Sequence, residues 1–71
     1  MNIDRRGDRL IRIPEVRHRV GLSRASIYRR EADGTFPRKV RLGPACVAWY
    51  ESDIGEFVSD PMGYRQPTGD E

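Results

Sequence analysis

Apolar residues along the chain fall into short groups separated by glycine and proline, and the spacing within the groups changes from one to the next. Arg9-Leu10-Ile11-Arg12-Ile13 is a brief β-prone run, in which Leu10 and Ile13 are the expected inward residues. Pro14 ends the run and suits the first turn of a helix, where an amide would have no intrahelical partner; Glu15 adds a carboxylate near the positive helix end. Val16 and Val20 stand four apart on one face, so this helix runs to about Val20 and stops at Gly21. A second helix then begins at Arg24. Ser23 is its expected N-cap, because the hydroxyl can accept from a first-turn amide, and Asp33-Gly34 supplies a left-handed exit. Ile27 is its single apolar anchor, with Leu22 fastening the turn beneath it.

After Thr35-Phe36-Pro37 the period drops to two. Arg38-Lys39-Val40-Arg41-Leu42 alternates, with Val40 and Leu42 on one face and Lys39 and Arg41 on the other. Gly43-Pro44 turns the chain and Cys46-Val47-Ala48-Trp49 returns as the partner strand. A third helix starts near Glu51, with Ile54, Phe57 and Val58 as its apolar face and Glu51 and Asp53 in its first turn. Gly55 costs that helix about 1 kcal/mol relative to alanine, so it depends on packing against Trp49. Asp60-Pro61 closes it. The pattern predicts an α+β fold: a small winged helix-turn-helix of three short helices and a two-stranded β-hairpin wing, occupying residues 9–60. Residues 1–8 read as a flexible arm and the Gly/Pro-punctuated residues 61–71 as a disordered tail. Trp49, Phe36, Phe57, Tyr28, Ile13 and Ile54 are the candidate core.

Composition narrows the possibilities. With 71 residues, 37% of them apolar and 34% charged, the chain supports one domain and one small core. Its single cysteine, Cys46, excludes an intrachain disulfide and fits a reducing cytosol, with a buried place on its strand as the expected role. His18 stands alone and is expected at the surface, which gives no metal signal. No glycine-rich phosphate loop, nucleophile–base pair or paired carboxylate in an apolar setting is present, so no catalytic or cofactor chemistry is expected. The amino-terminal residues lack the apolar core of a signal peptide and no run reaches membrane-spanning length, so a cytoplasmic protein with no membrane partner is expected.

Charge is segregated. Residues 9–47 hold ten Lys and Arg against three acids, while residues 48–71 hold one Arg against six acids. A basic body with an acidic rear suggests a polyanion bound on one side. The second helix could supply the contact: Ala25, Ser26 and Arg29 lie opposite Ile27, with Arg24 and Tyr28 on one shoulder and Arg30 on the other. Small residues permit close approach to a major groove and arginine reaches guanine edges. The same nine or so residues could equally form a solvated surface helix.

The order and spacing of several motifs resemble a known family. These are Arg9-Leu10-Ile11-Arg12-Ile13-Pro14-Glu15-Val16, Val20-Gly21-Leu22-Ser23-Arg24-Ala25-Ser26-Ile27-Tyr28-Arg29, Gly34-Thr35-Phe36-Pro37, Leu42-Gly43, and Ala48-Trp49 before Glu51-Ser52-Asp53-Ile54. They are similar to the AlpA-type prophage regulators and related excisionases, small winged helix-turn-helix proteins of the MerR-like group. The resemblance implies a mobile-element protein that binds double-stranded DNA, either as a transcriptional regulator or as a directionality factor for excision. Arg29 then reads a base edge, Ala25 and Ser26 set the close approach, Arg24, Tyr28 and Arg30 hold phosphates, and Arg38, Lys39 and Arg41 follow the backbone or minor groove. Partners would be DNA, an integrase or recombinase, or further copies on adjacent sites. The alternative is a protein-interaction module that contacts an acidic partner such as an integrase without reading DNA. The sequence departs from the family pattern at Arg17 and Glu31, where apolar residues are usual, at Ala45 on the wing tip, and at Phe57 in place of tryptophan. An Arg17–Glu31 ion pair across the helix seam is the expected resolution of the first two, the alternative being that both side chains extend over the seam into water.

Overall fold

The computed structural model of the protein describes residues 7–67. Along the chain it forms β1 (Leu10–Ile11), α1 (Ile13–Val20), α2 (Arg24–Asp33), β2 (Val40–Gly43), β3 (Cys46–Tyr50) and α3 (Glu51–Ser59). The three helices and the wing follow the order read from the sequence, as a small α+β winged helix-turn-helix. The hairpin gains a third strand: β1 pairs antiparallel with β3, Leu10 opposite Tyr50 and Ile11 opposite Trp49, so the sheet order is β1-β3-β2. This pairing corrects the expected facing of the first run. Ile11 shares the Trp49 face and is buried, Leu10 is 42% exposed, and Ile13 opens α1 and is half-buried. Side chains alternate along a strand, so a register set by the partner moves the whole apolar set at once.

Trp49 is the centre of the core. It is fully buried, its Nε1 donates to the Pro37 carbonyl at 3.1 Å, and its ring meets Tyr28 at 6.2 Å and the edge of Phe36 at 6.4 Å. A buried indole needs such an acceptor, and the broken backbone at Phe36-Pro37 supplies it. Phe36 continues the aromatic chain to Phe57 at 4.7 Å, and Ile11, Val16, Ile27 and Ile54 complete the cluster. Two expected inward residues lie outside it. Leu42 is 49% exposed where an irregularity between Arg41 and Gly43 interrupts the alternation of β2, and Val58 is 48% exposed on the rim of an open groove beside Val20, Leu22 and Phe57. Cys46 is half-buried and His18 is exposed.

The ends of the described chain are fastened to the body. Tyr50, at the N-cap of α3, offers no side-chain acceptor. Asp8 does so from across the sheet: its carboxylate accepts from Ser52 N at 3.1 Å and Ser52 Oγ at 2.6 Å, while the Arg9 carbonyl accepts from Glu51 N at 2.7 Å. Asp8 is therefore tied to α3, whereas residues 1–6 of the expected arm lie outside the described residues. Arg9, Glu15, Arg19 and Glu51 form a network of ion pairs at 2.8–3.2 Å that joins β1, α1 and α3. The Glu51 hydrogen bond, foremost among these contacts, raises the Arg19 pKa and holds its guanidinium charged. Residues 61–67, expected as disordered, fold back along the body. Tyr64 packs on Phe57 at 5.9 Å and Gln66 hydrogen-bonds to the end of α2. Their Gly/Pro content suits a strap as well as a loose end, and the anchoring groups are single residues with no periodicity. Residues 68–71 lie outside the described residues.

Candidate nucleic-acid interface

Helix α2 is closed at both ends by its own sequence. Ser23 Oγ accepts from Ser26 N at 3.1 Å. At the other end Gly34, with φ of 82°, lets its amide reach Glu31 O at 3.1 Å and the Thr35 amide reach Arg30 O at 2.9 Å, satisfying carbonyls that a helix end leaves unpaired. Gly21, with φ of 70°, ends α1 in the same way and sets the turn between the helices. Complete burial of Ile27 then fixes the rotation of α2 about its axis. Ala25 and Arg29 are exposed on the side away from it and Arg24 is exposed on the shoulder, and neither arginine has a polar or charged partner among the described residues.

The remaining sequence-selected residues divide into two groups. Ser26 is half-buried, and its hydroxyl is engaged with Ser23 Oγ at 3.1 Å. Tyr28 is half-buried between Trp49 and Lys39, whose Nζ stands 5.5 Å from the ring centroid, so Tyr28 supports the surface more than it projects from it. Arg30 is half-buried and lines a groove with Arg19 of α1 and Phe57 of α3. Arg38, Lys39 and Arg41 are exposed on the wing side. Arg38 Nε donates to Gln66 Oε1 at 3.0 Å, and Arg41 Nη2 donates weakly to the Pro44 carbonyl at 3.4 Å.

Glu31 is the hinge between helix and wing. Its side chain is only 11% exposed; it accepts the Lys39 backbone amide at 2.7 Å and pairs with Lys39 Nζ at 3.0 Å. Arg17 is exposed and makes no contact with Glu31, so the expected seam pair is absent. Glu31 lies close to the Ile27 direction on α2, from which a side chain can lean toward either neighbour. The wing offers both a backbone donor and a cation, which Arg17 could not match. Gln66, which the sequence reading did not select, completes this corner. An open cleft of about 350 Å³ lies between α2 and the wing, lined by Tyr28, Glu31, Ala32, Arg38, Lys39 and Gln66.

The local electrostatics sharpen the charge segregation. Arg9 and Arg19 are balanced by Glu15 and Glu51, so among the described residues the cations of α2 and the wing without an ion pair are Arg24, Arg29, Arg30, Arg38 and Arg41, with Lys39 offset by Glu31. On the acidic side, burial first and then Asp53 and Glu56 push the Tyr64 phenol up from its ordinary value. Among the described residues no cluster of His, Cys, Asp and Glu could hold a metal ion, and no helix is long and apolar enough to cross a membrane.

The family described as prophage CP4-57 regulatory protein (AlpA) matches residues 9–62. The chain is 39% identical over 59 residues to an uncharacterized protein, ORF88, of Enterobacteria phage P4, covering 83% of this chain and 67% of that one. It is also 39% identical over 57 residues to the DNA-binding transcriptional activator AlpA of Escherichia coli strain K12, covering 72% of this chain and 81% of that protein. No solved structure matches the chain significantly.

Proposed function

Since the chain belongs to the AlpA family of prophage regulatory proteins, we propose that it is a sequence-specific double-stranded DNA-binding protein that regulates transcription in the cytoplasm. The observation that carries this reading is the pair Arg24 and Arg29, exposed and without a polar or charged partner among the described residues, on a helix capped at both ends and beside a cationic wing. Arginines held at the surface without a counter-charge suit a phosphate-rich surface, and Ala25 between them leaves room for close approach. In this reading Arg29 contacts a base edge. Arg24 holds a phosphate, Arg38, Lys39 and Arg41 lie along the neighbouring backbone, and Ser26, Tyr28 and Arg30 keep α2 in place.

Four to five phosphate contacts predict a slope of log affinity against log salt of about −4. Arg29→Ala is expected to cost about 1 to 3 kcal/mol and to relax preference at one base pair, whereas Arg38→Ala weakens all duplexes alike. Titration of matched and mismatched duplexes checks both, and an unchanged discrimination ratio in Arg29→Ala refutes the assignment. A slope near zero would favour a protein-interaction module that contacts an integrase or another acidic partner. The relative from Escherichia coli, named a transcriptional activator, favours promoter binding over a role in excision. Footprinting separates these, because an excision factor protects the attachment site of its element and a regulator protects a promoter.

A further inference from the structure

The strap after α3 brings one polar side chain into the cleft between α2 and the wing. Gln66 Nε2 donates to the Phe36 carbonyl at 2.7 Å and to the Glu31 carbonyl at 2.9 Å, and its backbone amide donates to Gly34 O at 2.9 Å. Carbonyls only accept, so the two contacts at Nε2 fix which way the side-chain amide lies. Oε1 is thereby turned toward Arg38, whose Nε donates to it at 3.0 Å. The two terminal nitrogens of Arg38 have no partner among the described residues. Gln66 also lies beyond residues 9–62, the stretch matched by the family.

We propose that Gln66 is a positioning residue for Arg38, holding that guanidinium over the α2–wing cleft so that its two terminal nitrogens meet a backbone phosphate. The inference rests on the DNA-binding reading above and adds to it a residue supplied by the strap. Its logic is electrostatic and entropic. Within the cleft the Lys39 charge is largely offset by Glu31 at 3.0 Å, which leaves Arg38 as the unbalanced cation. A free arginine loses much rotamer freedom when it binds, and one already held at Nε loses less while keeping its fork of donors. Because Gln66 is tied to the last turn of α2 and to the residue before Pro37, Arg38 is set in fixed relation to the helix that carries Arg29.

The test uses the full chain and a duplex of arbitrary sequence, since a phosphate contact is independent of sequence. Gln66→Ala is expected to weaken binding about three- to tenfold, in line with the net worth of one ordinary hydrogen bond at a solvent-exposed site. The same factor is expected in an Arg24→Ala background, and no further loss in an Arg38→Ala background. General loosening of the strap would instead weaken binding in all three backgrounds, and that result overturns the proposal. Independently of DNA, the Arg38 Nε–H signal in nitrogen-15 NMR should exchange slowly with water in the wild type and rapidly in Gln66→Ala; an unprotected wild-type signal also overturns it. A protected signal in a wild-type protein that binds no duplex overturns the DNA reading and this inference with it. Wild-type binding with equal losses in every background overturns this inference alone.

Discussion

Replacing Glu31 with alanine should destabilise the protein by about 2 kcal/mol, and Lys39→Met should cost less than about 1 kcal/mol, although both changes remove the same ion pair. The difference lies in what else Glu31 holds. Its carboxylate, 11% exposed, accepts the Lys39 backbone amide at 2.7 Å as well as Nζ at 3.0 Å. A hydrogen bond to a charged acceptor contributes about 1.5 to 3 kcal/mol, and its loss leaves the Lys39 amide without that partner where the chain enters β2. The ion pair contributes much less, about 0.5 kcal/mol, because the Lys39 side chain is 40% exposed and screened by water. Methionine at position 39 keeps the amide bond and the apolar stem beside Tyr28, giving up only the cation and its weak attraction to the ring. Urea denaturation of the two variants, read as midpoint shifts at constant slope, measures both losses. Equal losses, or a larger one for Lys39→Met, would show that the salt bridge and not the backbone clamp joins helix to wing.

Two further substitutions probe the closures at the acidic side. Asp8→Ala removes the acceptor for both Ser52 N and Ser52 Oγ at the start of α3 and should lower stability by about 1 kcal/mol, as loss of a helix cap does; an unchanged melting temperature would refute that role. Tyr64 has its pKa raised above the ordinary 10.0, chiefly by burial, so above that pH the unfolded chain releases the phenolic proton before the folded one does. Its contribution is fully present below 10.0 and is lost as pH rises through the folded value; Tyr64→Phe should flatten this alkaline loss relative to wild type, and parallel curves for the two proteins would refute the assignment.

The elements whose ends are set by local chemistry were legible in the sequence. Ser23, Gly21 and Gly34 act through residues a few positions away, so α1 and α2 end where these residues require. The placement of Arg24 and Arg29 followed from Ile27 alone, since one buried anchor fixes the rotation of a short helix. What could not be read were contacts that join distant stretches. The pairing of Ile11 with Trp49, which reverses the facing of the first strand, depends on a partner almost forty residues away. The choice of Lys39 over Arg17 by Glu31 depends on how the wing is hung, which no local pattern encodes. Gln66 carried no signal of its own: a single amide in a Gly/Pro-rich stretch looks the same whether it meets water or three partners.

The two-residue strand β1 has a consequence for how the protein comes into being. Pairing Ile11 with Trp49 closes a loop of roughly forty residues, whose length-dependent entropy alone is about 3 kcal/mol, and so short a strand offsets this only together with the burial of Ile11 and the ties from Asp8 and Arg9 to α3. On the ribosome, β1, α1 and α2 emerge first, and β1 lacks its partner strand until Trp49 and Ser52 follow. A nascent chain halted before Trp49 therefore carries both helices without the buried indole on which Ile11 and Tyr28 pack. The helix-turn-helix of this protein is therefore expected to depend for its packing on residues up to Ser52.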